Sequence, residues 1–218
     1  MARHPLIGQP APSIALPGAD GETYTLTPGE KGVPIALFFY PKSGAPASTQ
    51  LLTSSTGSFG CTKEACQFRD ALAEKDLFKR TKVEIVGISS DPVDKQKEFV
   101  EKQKLTYPVL SDAKGEVRKA YHVGKGLFGL AETARVTFLI DSKGTVRDVL
   151  DTTVNYSAHV RFVTKWLDKL EAEEKKAAEA PAASPAADEA PAVDTPNATI
   201  PEGNTVGELG RAAEAVQA

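Results

Sequence analysis

The sequence predicts an α/β fold, a central sheet with helices on both faces, followed by a disordered C-terminal tail. Two observations carry this. Short apolar and β-branched runs alternate with helical patterns up to about residue 171. From residue 172 onward alanine, proline and acidic residues dominate instead.

Residues 33–40 (VPIALFFY) form a nearly continuous apolar run, as expected of a strand buried on both faces of a sheet. Residues 83–89 (VEIVGIS) and 135–140 (RVTFLI) read the same way, and 145–150 follows the turn signal Asp141-Ser142-Lys143-Gly144. Residues 23–26 and 107–110 give weaker strand signals. Helical patterns run from residue 61 to about 80, from 92 to about 104 and over 116–121, with a last one from 158 to about 173. Asp91-Pro92 opens the second of these with an acceptor at the cap position and proline in the first turn. The pattern does not say which strands run antiparallel.

The 218 residues carry 26 Lys and Arg against 29 Asp and Glu, a formal net charge of −3. Residues 172–218 hold nine acidic and three basic residues, a net of −6, which leaves +3 on residues 1–171. So small a balance argues against a nucleic-acid partner, whose footprint is a strongly basic patch. Fifteen of the 47 tail residues are alanine and five are proline, too little apolar surface to offset the entropy of ordering. Glu173-Glu174-Lys175-Lys176 extends the last helix before Pro181. The expected organisation is one domain over 1–171 and a tail over 172–218. The opening stretch Met1-Ala2-Arg3-His4-Pro5-Leu6-Ile7-Gly8 has no apolar core of signal-peptide length, and no apolar run approaches the roughly 20 residues of a membrane span. An intracellular protein, cytoplasmic or nuclear and free of the membrane, is expected.

Two cysteines are too few for a secreted disulfide framework, and in a reducing compartment a close pair is more often catalytic, redox-active or metal-binding than structural. Cys61 follows Ser58-Phe59-Gly60, and Ala65, Phe68 and Leu72 fall four, seven and eleven residues after it. This puts Cys61 in the first turn of a helix, on its buried face. There the unpaired N–H groups and the macrodipole favour an anion. A thiol of pKa about 8.5 is roughly 3% thiolate at pH 7, whereas one lowered to about 6 is about 90% thiolate. Cys66 comes five residues later. On an intact helix it is rotated by about 140°, with its Cα about 8.6 Å from that of Cys61. A disulfide spans at most about 7 Å between Cα atoms, so a bond between the two requires the helix start to unwind. A Cys66 that is only a small buried apolar residue fits the spacing equally well. Zinc needs two more ligands, yet His4, His122 and His159 are scattered, and the four intervening residues do not make a C-x-x-C motif. No metal is expected. His122 and His159 read as surface or packing residues, and Trp166 as core of the last helix.

The string Phe39-Tyr40-Pro41-Lys42, then Gly60-Cys61-Thr62-Lys63-Glu64-Ala65-Cys66-Gln67-Phe68-Arg69-Asp70, resembles the peroxiredoxin Q family, also called the bacterioferritin comigratory proteins. Val86-Gly87-Ile88-Ser89, Tyr107-Pro108-Val109-Leu110-Ser111-Asp112 and Arg135-Val136-Thr137-Phe138-Leu139-Ile140-Asp141 add to the match, which covers about residues 5–170. The resemblance implies a thioredoxin-like fold with a mixed central sheet. It also implies a peroxidase for hydrogen peroxide and organic hydroperoxides that needs no cofactor, draws electrons from thioredoxin and acts as a monomer. Cys61 matches the peroxidatic cysteine, which becomes a sulfenic acid, and Cys66 the resolving cysteine, which forms an intramolecular disulfide with it. Arg135 matches the arginine beside the thiolate, where a guanidinium stabilises the sulfur anion and donates to the peroxide oxygens. Glu64 and Arg69 match the string as supports of the active helix through ion pairing.

The family pattern P-x-x-x-T-x-x-C is altered here. Ser58 stands at the threonine position and keeps the hydroxyl, while Pro41 precedes Cys61 by twenty residues instead of seven. Removing thirteen residues, 45–57 (APASTQLLTSSTG), restores the spacing. Closing such a loop costs on the order of 2 kcal/mol, so Pro41 can still wall the pocket while the loop bulges outward. The segment is either an insertion that caps the peroxide entrance or helps choose the reductant, or translated intron sequence. Two other functions fit the same residues. One is a peroxide-sensing redox switch whose disulfide is read by a partner docked on the acidic tail. The other is an inactive redoxin-fold protein, should residues 45–57 disrupt the pocket.

Overall fold

The computed structural model describes residues 3–41, 58–126 and 133–179. All lie within residues 1–180, the first of two units that divide the chain at 180/181. The segment 45–57 and the tail beyond residue 180 lie outside the described residues.

Strand β3 (Ile35–Phe39) is buried along its whole length, as its continuous apolar run requires. Its side chains alternate, so that Ala36, Phe38 and Tyr40 enter one core cluster and Ile35, Leu37 and Phe39 the other. On one side β3 pairs in parallel with β4 (Glu84–Ser89), which pairs in parallel with β5 (Val109–Ser111). On the other it pairs antiparallel with β6 (Val136–Ile140), which pairs antiparallel with β7 (Val146–Asp151). The sheet order is therefore β5-β4-β3-β6-β7, the mixed sheet of a thioredoxin-like fold. Parallel neighbours need crossovers, which α1 (Ser58–Glu74) and α2 (Asp76–Thr81) supply between β3 and β4, and α3 (Val93–Gln103) between β4 and β5. The β6 to β7 connection turns at Gly144, whose φ is +82° and where a Cβ would come within 2.5 Å of the Pro28 carbonyl oxygen.

Helices cover both faces. Phe68 of α1 (Ser58–Glu74), Phe78 of α2 (Asp76–Thr81), Phe99 of α3 (Val93–Gln103) and Leu167 of α5 (Tyr156–Glu179) pack into the first cluster. Val117 of α4 (Glu116–Ala120) packs into the second, along with Ile14, Leu16 and Leu26 of the hairpin β1 (Ile14–Pro17) and β2 (Thr23–Leu26). Residues 172–179 continue α5 as the charged run Glu173 to Lys176 had suggested.

The elements depart from the sequence-based expectation in three places. The helix expected over 61–80 begins at Ser58 and breaks at Lys75, whose φ of −86° and ψ of 118° are extended. At about 100° per residue, an unbroken helix would turn Leu77 about 180° away from Phe68. The break lets Phe68, Leu77 and Phe78 all be buried in one cluster. The cap of α3 is Pro92 itself, while the Asp91 carboxylate accepts from the Ser89 hydroxyl at 2.9 Å. Strand β1 gave no signal because its alternation lasts only four residues, with Pro12 just before it and Pro17 as its last residue. Among the described residues, no helix is long and apolar enough to cross a membrane.

Candidate active site

The register Phe39↔Val136 brings the residues after β3, Tyr40 and Pro41, to the same sheet edge as Arg135, which immediately precedes β6. Over this edge lies the first turn of α1 with Cys61. Cys61 is 1% exposed and Arg135 fully buried. Arg135 Nη2 lies 3.2 Å from Cys61 Sγ, Nη1 donates to Glu64 Oε2, and Nε donates to the Thr153 carbonyl at 3.1 Å. With every guanidinium nitrogen engaged, the plane of the group is fixed. The Tyr156 ring packs on it, 5.0 Å from ring centroid to Arg135 Cζ. Burial works against the arginine's charge, but Glu64 and Cys61 more than offset this and hold its pKa above the usual value.

Glu64 follows Cys61 by three residues, one helical turn, and so faces the same arginine. It is fully buried, and burial pushes its carboxyl up to about 7 against the opposing pull of Arg135. Its second oxygen, Oε1, has no hydrogen-bond partner and lies 3.4 Å from His159 Nδ1. His159 is itself fully buried. Its Nδ1 is 2.7 Å from the Thr137 hydroxyl and its Nε2 3.1 Å from the Thr152 carbonyl. Burial first, and the Arg135 charge as well, lower its pKa to about 4.

Gly60 is fixed by packing. A Cβ there would sit 2.1 Å from Tyr156 Cε1, so only glycine lets this ring lie against the turn that carries Cys61. Cys66 stands apart from Cys61 on the continuous helix, half-buried and free, with Sγ 3.6 Å from Gln103 Oε1. Burial raises its pKa, so the folded helix holds this thiol protonated. Tyr107 donates its hydroxyl to the Ala65 carbonyl at 2.9 Å and so ties the helix between the two cysteines to the sheet.

Of the residues singled out in the sequence, Cys61 and Arg135 meet directly, and Glu64 pairs with Arg135. Arg69 pairs with Asp70 and donates to the Gln103 carbonyl. Pro41 is buried at the end of β3, and Ser58 is the first residue of α1, its side chain outside the described residues. His122 is exposed, as expected. His159 is a buried packing residue beside Glu64. Its signal was its place on the apolar stripe of α5, four residues before Val163 and eight before Leu167. Among the described residues, no group of three or more His, Cys, Asp or Glu could hold a metal ion.

Residues 51–149 match the AhpC/TSA family. The crystal structure of peroxidoxin BcpB from Mycobacterium tuberculosis is similar, with a TM-score of 0.61 and 36% identity, covering 75% of this chain and 97% of that one. Chloroplastic peroxiredoxin Q from Populus jackii is 34% identical over 163 residues, 75% of this chain and 68% of its own length. The structure of Xanthomonas campestris peroxiredoxin Q is 25% identical with a TM-score of 0.57, covering 72% of this chain and 90% of that one.

Proposed function

Because the chain belongs to the peroxiredoxin family and is a peroxidase oxidoreductase, we propose that it reduces hydrogen peroxide and organic hydroperoxides with electrons from thioredoxin, through a Cys61 sulfenic acid and an intramolecular Cys61–Cys66 disulfide. The observation that carries this reading is the 3.2 Å contact between Arg135 Nη2 and Cys61 Sγ in the first turn of α1. A fixed guanidinium and a helix start both favour a sulfur anion there.

In the proposed cycle the Cys61 thiolate attacks the distal peroxide oxygen in line. The S–O bond forms as the O–O bond breaks, and the electron pair leaves on alkoxide or hydroxide, which takes up a proton. Arg135, the Ser58 hydroxyl and the N–H groups of the first turn hold the oxygens, and Pro41 walls the pocket. Cys66 cannot reach Cys61 across an intact helix, so the start of α1 unwinds. The Cys66 thiol then loses its proton and attacks the Cys61 sulfur, the S–S bond forms as the S–O bond breaks, and the sulfenic oxygen takes up a proton and leaves as water. Thioredoxin's dithiol reopens the bond by exchange and becomes a disulfide itself.

A thioredoxin-coupled peroxidase assay tests this reading. Cys61→Ser is expected to abolish turnover, and Cys66→Ser to consume about one equivalent of peroxide and accumulate a sulfenic acid that dimedone traps. Full steady-state activity in Cys66→Ser would overturn the resolving role.

A further inference from the structure

We propose that Glu64 is a buried proton site that balances the charge of Cys61. In this account Glu64 holds a proton while Cys61 is a thiolate and releases it when the sulfur becomes a sulfenic acid. The inference rests on the reading of Cys61 as the peroxide-reactive thiol.

Cys61, Glu64, Arg135 and His159 are all at most 1% exposed, and one guanidinium bonds both the sulfur and the carboxylate. If thiolate and carboxylate were both ionised, the cluster would hold one buried negative charge without a counterion, an arrangement that proteins avoid by shifting a proton. The geometry says where that proton sits. The Thr152 carbonyl can only accept, so His159 Nε2 carries the imidazole hydrogen and the Nδ1 lone pair accepts from the Thr137 hydroxyl at 2.7 Å. Glu64 Oε1, buried and without a hydrogen-bond partner, lies 3.4 Å from Nδ1, which has no hydrogen to offer it. Two acceptors oppose each other there. A proton on Oε1 removes the excess charge and relieves the repulsion between the two acceptors. The raised pKa of Glu64 and the lowered pKa of His159 agree with this placement, each set mainly by burial.

Other groups facing the site do not supply the proton. Tyr107, reaching α1 from before β5, donates its hydroxyl to the Ala65 carbonyl, and burial keeps its phenol neutral. Tyr156, from the start of α5, offers Arg135 its ring face. Thr137, on β6, bonds His159. Arg135 is the fixed cation.

The step then balances. Thiolate, hydroperoxide and protonated Glu64 give sulfenic acid, alcohol or water, and ionised Glu64. The S–O bond forms, the O–O bond breaks and sulfur loses two electrons. The proton given up by Glu64 matches the one taken up by the leaving oxygen. Arg135 neutralises the thiolate before the step and the carboxylate after it.

The test uses Cys66→Ser, in which oxidation stops at the sulfenic acid. Infrared difference spectra before and after one equivalent of hydrogen peroxide at pH 6 are expected to show loss of a protonated-carboxyl C=O band and gain of a carboxylate band. Adding Glu64→Gln removes both features. The pH dependence of Cys61 oxidation gives a second readout: a bell in Cys66→Ser, whose falling limb above neutrality disappears with Glu64→Gln. If dimedone labels Cys61 but the carboxyl band is unchanged, the Glu64 assignment falls and the reading of Cys61 stands. If dimedone labels no Cys61, both fall.

Discussion

Arg135 reaches Cys61 Sγ at 3.2 Å with one nitrogen while a second nitrogen of the same group donates to Glu64, so one fixed cation serves two buried acidic groups. Lysine keeps the charge but not the planar fork. Arg135→Lys is expected to slow Cys61 oxidation by about 10²-fold in stopped-flow measurements, the scale for loss of one oriented donor. Arg135→Met leaves the two buried acidic groups without their counterion and is expected to cost about 3–5 kcal/mol in denaturant unfolding.

Gly60 and Tyr156 are a steric pair, since a Cβ at position 60 would lie 2.1 Å from the ring. Gly60→Ala displaces the ring that packs on Arg135 and is expected to cost about 1–3 kcal/mol, as overpacking does. Combining it with Tyr156→Ala removes the clash. The double variant is expected to be less destabilised than the sum of the two singles, a coupling that a double-mutant unfolding cycle measures.

These two relationships differ in how far the sequence announced them. The strands were legible because a sheet buried on both faces needs continuous apolar runs, and β3 and β6 are such runs. The meeting of Cys61 and Arg135 was legible from their motifs. The antiparallel register that sets Arg135 opposite the end of β3 was not, because strand direction leaves no mark in composition. The break at Lys75 follows from tertiary burial of Leu77 and Phe78, which local propensity does not record. His159, Tyr156 and Thr137 come from distant segments and act through contacts that only the fold creates.

His159 makes stability depend on pH with a definite sign. Its folded pKa of about 4 lies below the ordinary 6.5, so the unfolded state binds more protons between these values, and stability falls as pH drops from about 6.5 to 4. Glu64 has the opposite sign. Its pKa is raised, so its contribution is present below the ordinary carboxyl range and is lost as pH rises through about 7. The two oppose each other between about pH 4.5 and 6.5. His159→Gln removes one of them, so its destabilisation relative to the parent is expected to shrink by about 2 kcal/mol between pH 7 and pH 4.5. Urea unfolding at the two pH values checks this.

The Tyr107 hydroxyl, bonded to the Ala65 carbonyl at 2.9 Å, resists the unwinding that resolution needs. Tyr107→Phe removes one hydrogen bond worth about 1 kcal/mol from the folded helix. Disulfide formation after the sulfenic step is expected to speed up about fivefold, followed by the loss of alkylatable Cys66 after rapid quenching. Oxidised parent protein is expected to show faster amide exchange than reduced protein over residues 58–70.

Peroxide is expected to link Cys61 to Cys66 within one chain. Trypsin cuts after Lys63, between the two cysteines, so peptide mapping without reductant separates the outcomes. After one equivalent of hydrogen peroxide the peptide ending Cys61-Thr62-Lys63 is expected to appear joined to Glu64-Ala65-Cys66-Gln67-Phe68-Arg69, in monomeric protein without free thiol. Recovery of the two peptides unlinked, with Cys66 still alkylatable while Cys61 is oxidised, would contradict it.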